Sequence, residues 1–145
     1  RIMDDVVMGG RSDGKFYKTQ DGNAVFEGRV SLENNGGFSS IRHRFPKMNV
    51  EGKTTVKIKL KGDGKAYQFR IKSQTRDYFS YINDFTTSGE WEEVEIVLAD
   101  MYPAFRGRNL NMPNFESSTI EEVALLIGNK KEENFRLEIA SIEIN

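Results

Sequence analysis

Hydrophobic and polar residues alternate with a period of two along most of this chain, whereas the spacing of an amphipathic helix is scarce. The clearest run is 54–61, in which three aliphatic residues alternate with three lysines. After the Gly-Asp-Gly segment 62–64 the alternation resumes in 65–73, so the two runs predict a β-hairpin closed by an Asp-Gly turn. A chain with this pattern is expected to bury one face of each strand in an all-β core.

Further strands follow from the same pattern. The runs 16–19 and 24–32 flank an Asp-Gly-Asn turn and predict a second hairpin. The run 38–45 predicts a strand that ends at Pro46, because proline cannot donate to a strand ladder. The run 91–98 predicts another strand that buries every second side chain.

Towards the C-terminus the pattern predicts two more strands. The nearly continuous apolar run 123–127 is typical of a strand covered on both faces. The phase of alternation changes between 135–139 and 142–144. A change of phase predicts a β-bulge or bend, here near Ala140 and Ser141.

One stretch breaks the alternation. Segment 100–118 carries prolines, a glycine and several asparagines, and predicts a long ordered loop, followed by a short helical turn at 119–122. Eight or more short strands separated by turn signals predict an antiparallel jelly-roll β-sandwich, with a closed barrel as the alternative architecture. We expect residues 1–145 to form a single domain.

The composition excludes several chemistries. Without cysteine the chain has no disulfide, thiol nucleophile or thiolate metal site. Its one histidine, His43, lies in phase with Ile41 and Phe45, and we expect it to be structural. A net charge of −1 favours neither nucleic acid nor an anionic membrane, and no apolar run approaches the roughly 20 residues of a membrane span. The chain begins at Arg1 without a methionine, so we interpret it as a trimmed fragment, and its compartment stays open.

Neither hydrolysis nor nucleotide binding is indicated. Most of the 22 Asp and Glu residues lie on alternating solvent faces or in the charge run 130–133, which does not favour a two-carboxylate glycosidase. The paired glycines lack the lysine and the strand-to-helix context of a phosphate loop. We therefore predict no catalytic residue, no metal centre and no cofactor. A structural calcium ion stays open, because carboxylates in predicted loops suit an oxygen cage; these are Asp4, Asp5, Asp63 and Asp100.

Two polar strand faces form the candidate binding surface. Alternation places Arg42 and Arg44 on one face, and Gln68 and Arg70 on another. Grouped guanidinium groups bind carboxylates, phosphates or sugar hydroxyls, although long polar side chains also cover ordinary solvent-exposed faces. Tyr81 is expected at the rim of this surface, because alternation turns the other nearby tyrosine away.

Two glycine pairs, Gly9-Gly10 and Gly36-Gly37, stand beside Asp or Asn, residues that tolerate a positive φ. We expect at least one of these four glycines to have a positive φ. We also expect Arg42 to be partly buried and paired with a loop carboxylate such as that of Asp5, since an isolated buried guanidinium is costly. Such a pair would link the two glycine segments.

The same segments identify a family. Segments 5–12 and 26–42 resemble the two signature motifs of the complex I intermediate-associated protein 30 family. Four further segments resemble later parts of the family pattern, in the family's order along nearly the whole chain: 62–67, 89–91, 105–107 and 135–142. Structural motif residues on this resemblance are Asp5, Met8, Gly9, Gly10, Asn35, Gly36, Gly37 and Trp91.

The resemblance carries expectations about fold and function. Members of the family resemble galactose-binding-like domains, which are antiparallel jelly-roll sandwiches, and the mitochondrial members act as assembly chaperones for respiratory complex I. The resemblance implies a non-catalytic binding module for a protein partner, such as respiratory-complex subunits or assembly intermediates. The alternative is a carbohydrate- or small-ligand-binding module on the same scaffold, with a glycan as ligand. Candidate ligand- or partner-binding residues are Arg42, Arg44, Gln68, Arg70, Tyr81 and Arg106.

Overall fold

The computed structural model describes residues 6–10, 13–32 and 37–145, with the backbone alone for 6–10 and 13. The described residues form twelve β-strands and one short 3-10 helix, Leu98–Asp100. The strands are β1 (Val6–Gly10), β2 (Asp13–Lys18), β3 (Ala24–Val30), β4 (Ser39–Asn49), β5 (Thr55–Lys61), β6 (Ala66–Lys72), β7 (Ser80–Thr86), β8 (Trp91–Val97), β9 (Tyr102–Phe105), β10 (Arg108–Asn109), β11 (Thr119–Ile127) and β12 (Glu133–Ile144).

The strands form two sheets that pack face to face. The seven-stranded sheet has the order β1-β4-β11-β6-β7-β9-β10, and the five-stranded sheet has the order β2-β3-β12-β5-β8. Each pair of neighbouring strands is antiparallel. This is a jelly-roll β-sandwich, which confirms the fold expected from alternation and from the family motifs.

The core lies between the sheets and is built from the alternating apolar residues. Val56, Ile58 and Leu60 of β5 are fully buried, as the pattern predicts. Aromatic rings also pack in this core, where Phe26 and Phe135 meet edge to face at a centroid distance of 4.7 Å. Each such side chain contributes roughly 1.5–3 kcal/mol by leaving water, so the period-two pattern is the main source of stability.

The predicted hairpin at 54–73 is wrong. Strand β5 pairs with β8 and β12 in the five-stranded sheet, whereas β6 pairs with β7 and β11 in the other sheet. The Gly-Asp-Gly segment is therefore a crossover between sheets. Both strands alternate in the same way on either side of a turn, so the local pattern is identical for a hairpin and for a crossover.

Asp63 holds this crossover in place. Its carboxylate accepts hydrogen bonds from the Tyr67 hydroxyl at 3.0 Å and from the Arg136 backbone N–H at 2.8 Å. Tyr67 belongs to β6 and Arg136 to β12, so one side chain joins the two sheets. Thr87 completes the corner, since its hydroxyl accepts from the Gly64 N–H at 3.0 Å and donates to the Lys65 carbonyl at 2.8 Å.

Other elements confirm or correct the pattern. The hairpin of β2 and β3 is confirmed, and the bulge near Ala140 is confirmed by a register shift between Ile139 and Ser141. Strand β4 does not end at Pro46, because β11 shifts register between Ile120 and Glu122 and no ladder hydrogen bond is required from the proline there.

Segment 100–122 differs from its prediction as well. The long loop contains the short strands β9 and β10, and the segment 119–122 is the start of β11 instead of a helical turn. Edge hairpins this short carry too few alternating residues to produce a pattern. Among the paired glycines Gly37 has a φ of 101°, as expected, while Asp5, Asn35 and Gly36 lie outside the described residues.

Candidate functional site

The outer face of the seven-stranded sheet carries the candidate residues from the sequence. Strands β4 and β6 lie on either side of β11, so their polar faces join into one surface. We call this surface the arginine face and define it by the outward side chains of β4, β11, β6, β7 and β9. They are Ser40, Arg42, Arg44, Glu122, Ala124, Leu126, Gln68, Arg70, Lys72, Ile82, Asp84 and Tyr102.

One row crosses the middle of the arginine face. In register across the strands stand Arg42, Ala124, Arg70, Ile82 and Tyr102. Ala124 and Ile82 are only 7% and 4% exposed although they point away from the core. Neighbouring side chains therefore cover these two apolar residues in the middle of the row.

A chain of hydrogen bonds holds Arg70. Its Nε and Nη2 atoms donate to the Gln68 Oε1 atom at 2.9 and 2.6 Å, and the Gln68 amide donates to Asp84 at 3.0 Å. The Tyr102 hydroxyl donates to the same carboxylate at 2.6 Å. Burial lowers the pKa of Arg70, but the nearby Tyr102 and Asp84 oppose this effect. Burial, followed by the bond to Asp84, raises the pKa of Tyr102 to about 12.

Arg44 is neutralised within the face. Its Nε donates to Glu122 at 2.9 Å, and Glu122 is only 2% exposed. A buried carboxylate needs a partner of this kind, because an unpaired charge would strongly destabilise the fold. The positive charge of Arg44 is therefore compensated by Glu122, and its remaining N–H groups lie beside the central row.

Arg42 has no such partner in the described part of the chain. It is half-buried, and its Nε atom is shielded from solvent and makes no hydrogen bond to a described residue. The expected pairing with Asp5 lies outside the described residues. A shielded guanidinium donor without a partner is costly, and Arg42 thus differs from Arg44 two residues away.

The opposite outer face shows a different electrostatic pattern. On the five-stranded sheet Arg29 bonds Glu132 at 3.1 Å, and Arg136 bonds Glu27 at 3.3 Å and Glu138 at 3.4 Å. Both described arginines of that sheet therefore have carboxylate partners. The arginines of the central row on the arginine face, by contrast, have none among the described residues, and this asymmetry makes the arginine face the candidate site.

Tyr81 does not lie at the rim of the arginine face. It stands in register with Ile71 on the inner side of β7, where its ring meets Phe115 edge to face at 5.2 Å. Burial raises the pKa of its hydroxyl. The tyrosine that does occupy the rim is Tyr102, which the sequence analysis missed because the surrounding segment was interpreted as a loop. An outward Tyr102 could have been predicted from its alternation with Pro103, which is buried in the structure.

Arg106 lies away from the arginine face, at the turn between β9 and β10. It has a φ of 51°, and its guanidinium carbon lies 5.1 Å from the centre of the Phe105 ring. Tyr78 meets the same ring edge to face at 5.1 Å and is 61% exposed. We call Tyr78, Phe105 and Arg106 the aromatic edge.

Of the structural motif residues, the structure describes Met8, Gly9, Gly10, Gly37 and Trp91. Met8, Gly9 and Gly10 lie in β1, beside β4, and Gly10 stands in register with Ser39. Trp91 begins β8 on the outer face of the five-stranded sheet and is 43% exposed. Exposure of this size agrees with a surface role better than with a core anchor.

His43 lies inside the sandwich. Its ring is 5.3 Å from that of Phe45, and it lines a cavity of about 50 Å³ between the sheets together with apolar residues. A cavity of this size is far below the roughly 300 Å³ of a small-molecule site. A cleft of about 410 Å³ lies between the loops 50–54 and 115–118. No residue of the arginine face or of the aromatic edge lines this cleft.

The described residues offer neither a cluster of metal ligands nor a helix that could span a membrane. They contain no group of three or more His, Asp or Glu side chains that could hold a metal ion. Asp63 is occupied by protein donors, Asp100 is exposed, and Asp4 and Asp5 lie outside the described ranges. No helix in the described residues is long and apolar enough to cross a membrane.

Solved structures share this fold. A family 11 carbohydrate-binding module from Clostridium thermocellum, solved with a β-1,3-1,4-mixed-linked tetrasaccharide, is similar with a TM-score of 0.68 and 14% identity over 96% of this chain and 86% of that chain. The module TmCBM61, solved with β-1,4-galactotriose, is similar with a TM-score of 0.52 and 12% identity over 97% of this chain and 87% of that chain. At these identities the likeness shows the fold alone.

A comparison with curated protein sequences finds no match. The family model described as complex I intermediate-associated protein 30 matches residues 1–139. This match covers most of the chain and includes both glycine segments and the strands of the arginine face. The chain therefore belongs to the complex I intermediate-associated protein 30 family.

Proposed function

We propose that this domain is a non-catalytic binding module whose arginine face holds a protein partner, a subunit or assembly intermediate of respiratory complex I. The family supplies the class of partner. The observation that carries the choice of surface is the pair Arg42 and Arg70, which have no carboxylate partner among the described residues, whereas Arg29 and Arg136 on the other sheet are both paired. Arginine side chains without an ion pair can bind acidic groups on a partner protein.

The chemistry of the arginine face supports binding over catalysis. Guanidinium groups stay protonated at any physiological pH, so they do not transfer protons. The two acids on the face are both engaged, Glu122 by Arg44 and Asp84 by Gln68 and Tyr102. Neither is positioned beside a hydroxyl nucleophile with a histidine, which an acyl-transfer site would need.

Capture from a respiring cell extract tests the proposal. The tagged domain is compared with Ala124→Trp, which places a bulky ring in the middle of the row, and with Leu126→Trp as a second variant on the same strand. Lys59→Trp, an exposed position on the outer face of the other sheet, is the matched control. We expect complex I subunits, identified by mass spectrometry, to be captured by the wild type and the control but lost from both β11 variants.

Equal capture by all four folded proteins would place the interface elsewhere and overturn the choice of surface. Capture without any complex I subunit would overturn the class of partner. Circular dichroism and the melting temperature establish that each variant is folded before capture is compared.

Carbohydrate binding is the second candidate, and the aromatic edge favours it. Exposed aromatic rings stack on sugar rings, and Tyr78 and Phe105 are the rings available at this edge. A glycan array with wild type and Tyr78→Ala separates the two candidates. Tight glycan binding that is lost in Tyr78→Ala would favour the carbohydrate module, and an array without binding would favour the protein partner. A hydrolase panel on the same protein tests the absence of catalysis.

A further inference from the structure

We propose that Arg42 and Arg70 form a clamp for a carboxylate side chain in an acidic, partly apolar segment of the partner polypeptide. The inference rests on the proposed function, since it names the chemistry that the arginine face recognises. It goes beyond that function by assigning two residues and one kind of group to the contact.

The register places the two guanidinium groups on either side of one small residue. Arg42 and Arg70 both stand opposite Ala124, one on each neighbouring strand. Two strand spacings separate their Cα atoms by about 10 Å, and Ala124 between them is only 7% exposed and carries no polar group of its own. Two long side chains reaching inward from this separation can approach the same carboxylate from both sides.

Arg70 is positioned for this contact. Its Nε and Nη2 atoms are held by Gln68, which in turn is held by Asp84. The Nη1 atom makes no hydrogen bond to a described residue, so it stays available to a ligand. Fixing one edge of the guanidinium by hydrogen bonds lowers the entropy lost when the other edge binds.

Arg42 supplies the second half of the clamp. Its shielded Nε has no hydrogen-bond partner among the described residues. Because this atom is closed off from solvent, a ligand carboxylate would bond the outer edge of the Arg42 guanidinium, for which the described residues supply no ion pair. The acids already on the face do not compete, because Glu122 is held by Arg44 and Asp84 by Tyr102.

The surroundings favour a polypeptide over a free anion. Leu126 lies two residues from Ala124 on the same face, in register with Ser40 and Gln68, and is half-buried. A phosphate ion or a sugar acid in the clamp would leave this apolar surface in water. A peptide that carries an aliphatic residue beside its carboxylate would cover it and gain the transfer free energy.

The test uses fluorescence anisotropy with a labelled peptide of three Glu-Leu pairs separated by glycine. The control peptide has Gln in place of each Glu. We expect the acidic peptide to bind about tenfold more tightly than the control, as charge-assisted bidentate bonds are stronger than neutral ones. Arg42→Gln and Arg70→Gln should each abolish most of this preference, whereas Arg29→Gln and Arg136→Gln on the opposite sheet should keep it.

Three further arms make the outcome decisive. Arg70→Lys keeps the charge but loses the planar fork, and its affinity should lie between those of the wild type and Arg70→Gln. Inorganic phosphate and oligogalacturonate should displace the peptide only weakly, and displacement at or below the peptide's own concentration would assign the site to small anions instead. Binding of the acidic peptide by the Asp5→Asn variant but not by the wild type would show that the chain's own carboxylate fills the clamp, and would overturn the proposal.

The failure of this inference is distinguishable from the failure of the proposed function. If both peptides bind equally while Ala124→Trp still abolishes capture of complex I subunits, the clamp is wrong and the interface stands. If Ala124→Trp also leaves the capture of complex I subunits unchanged, then both the clamp and the choice of the arginine face as the interface are wrong.

Discussion

At the scale of single residues, Asp63 shows how one carboxylate can determine a connection between sheets. It receives hydrogen bonds from β6 through Tyr67 and from β12 through the Arg136 backbone. The tyrosine is only 2% exposed, so its hydroxyl has no access to water as a substitute partner. The corner between β5 and β6 thus depends on a short polar side chain at the centre of a glycine-rich segment.

We expect Asp63→Ala to lower the free energy of unfolding by about 2–3 kcal/mol, because it leaves the Arg136 N–H without an acceptor and the buried Tyr67 hydroxyl with only the Arg136 carbonyl, at 3.4 Å. Chemical denaturation monitored by circular dichroism measures the change. Asp100→Ala, at an exposed aspartate, is the matched control and should change stability by less than about 0.5 kcal/mol. Equal effects of the two substitutions would contradict the role assigned to Asp63.

Gly37 offers a second test at this scale. Its φ of 101° lies in the left-handed region that side chains rarely adopt, and among the described residues a Cβ there would meet Leu32 at 3.8 Å, an ordinary contact distance. Gly37→Val should therefore cost more than about 1 kcal/mol through backbone strain alone. A thermal shift below that expected from such a cost would mean that the local backbone relaxes around the new side chain.

At the scale of elements, the crossover between β5 and β6 is packed so closely that it constrains the sequence. A Cβ at Gly62 would overlap the side chain of Thr87, which follows β7. Thr87 itself is 8% exposed and bonded to the crossover backbone, so it has little freedom to move away. The glycine is required here by close approach, since its φ is not in the left-handed region.

Gly62→Ala is expected to destabilise the protein by about 2 kcal/mol, a typical cost of overpacking. Gly52→Ala is the matched control, because its φ is 81° and no atom lies within 4 Å of the added Cβ. Strain alone should cost that variant about 1 kcal/mol. Urea denaturation of both variants measures the difference, and a smaller effect at Gly62 than at Gly52 would contradict the packing argument.

At the scale of the whole molecule, the two outer faces of the sandwich differ in how their charges are arranged. On the five-stranded sheet both described arginines form ion pairs, Arg29 with Glu132 and Arg136 with Glu27 and Glu138. The arginine face keeps the two arginines of its central row without an ion pair to a described carboxylate. Net charge conceals this difference, because a value of −1 averages over both faces.

Stability should fall in alkaline solution because buried tyrosines must stay neutral. Burial, with Asp63 adding to it, raises the pKa of Tyr67, and burial with Asp84 raises that of Tyr102 to about 12. Both folded-state values lie above the unfolded value of about 10, so the unfolded chain releases its protons first. The stabilisation is complete below about pH 10 and is lost as the pH rises through the folded-state values.

Melting temperatures between about pH 8 and 12 test this expectation. The wild-type melting temperature should decline above about pH 10, and Tyr67→Phe should show a lower value at neutral pH with a shallower alkaline decline. Tyr78→Phe, at an exposed ring, should reproduce the wild-type slope. A wild-type profile that is flat over this range would contradict the assignment.

The strands other than β1, β7, β9 and β10, the inward residues along them and the bulge near Ala140 could be predicted from the sequence, because they depend on residues two apart along one strand. The candidate arginines could be predicted in the same way, since alternation places Arg42 and Arg44 on one side of β4. The family could be identified from its motifs. The strand faces depend on residues close together in the sequence, and the family is identified by short motifs that occur in the family's order.

Tertiary structure alone decided which strands pair. A run of alternating residues is equally satisfied in either sheet, so the crossover at Asp63 resembled a hairpin turn until the partners of β5 and β6 were known. The same long-range pairing brought Arg42 and Arg70 to opposite sides of Ala124, and it turned Tyr81 inward while placing Tyr102 at the rim. Sequence determined the faces of the strands, and the packing of distant strands determined which faces meet, because hydrogen-bonded ladders between strands carry no signal at short separation along the chain.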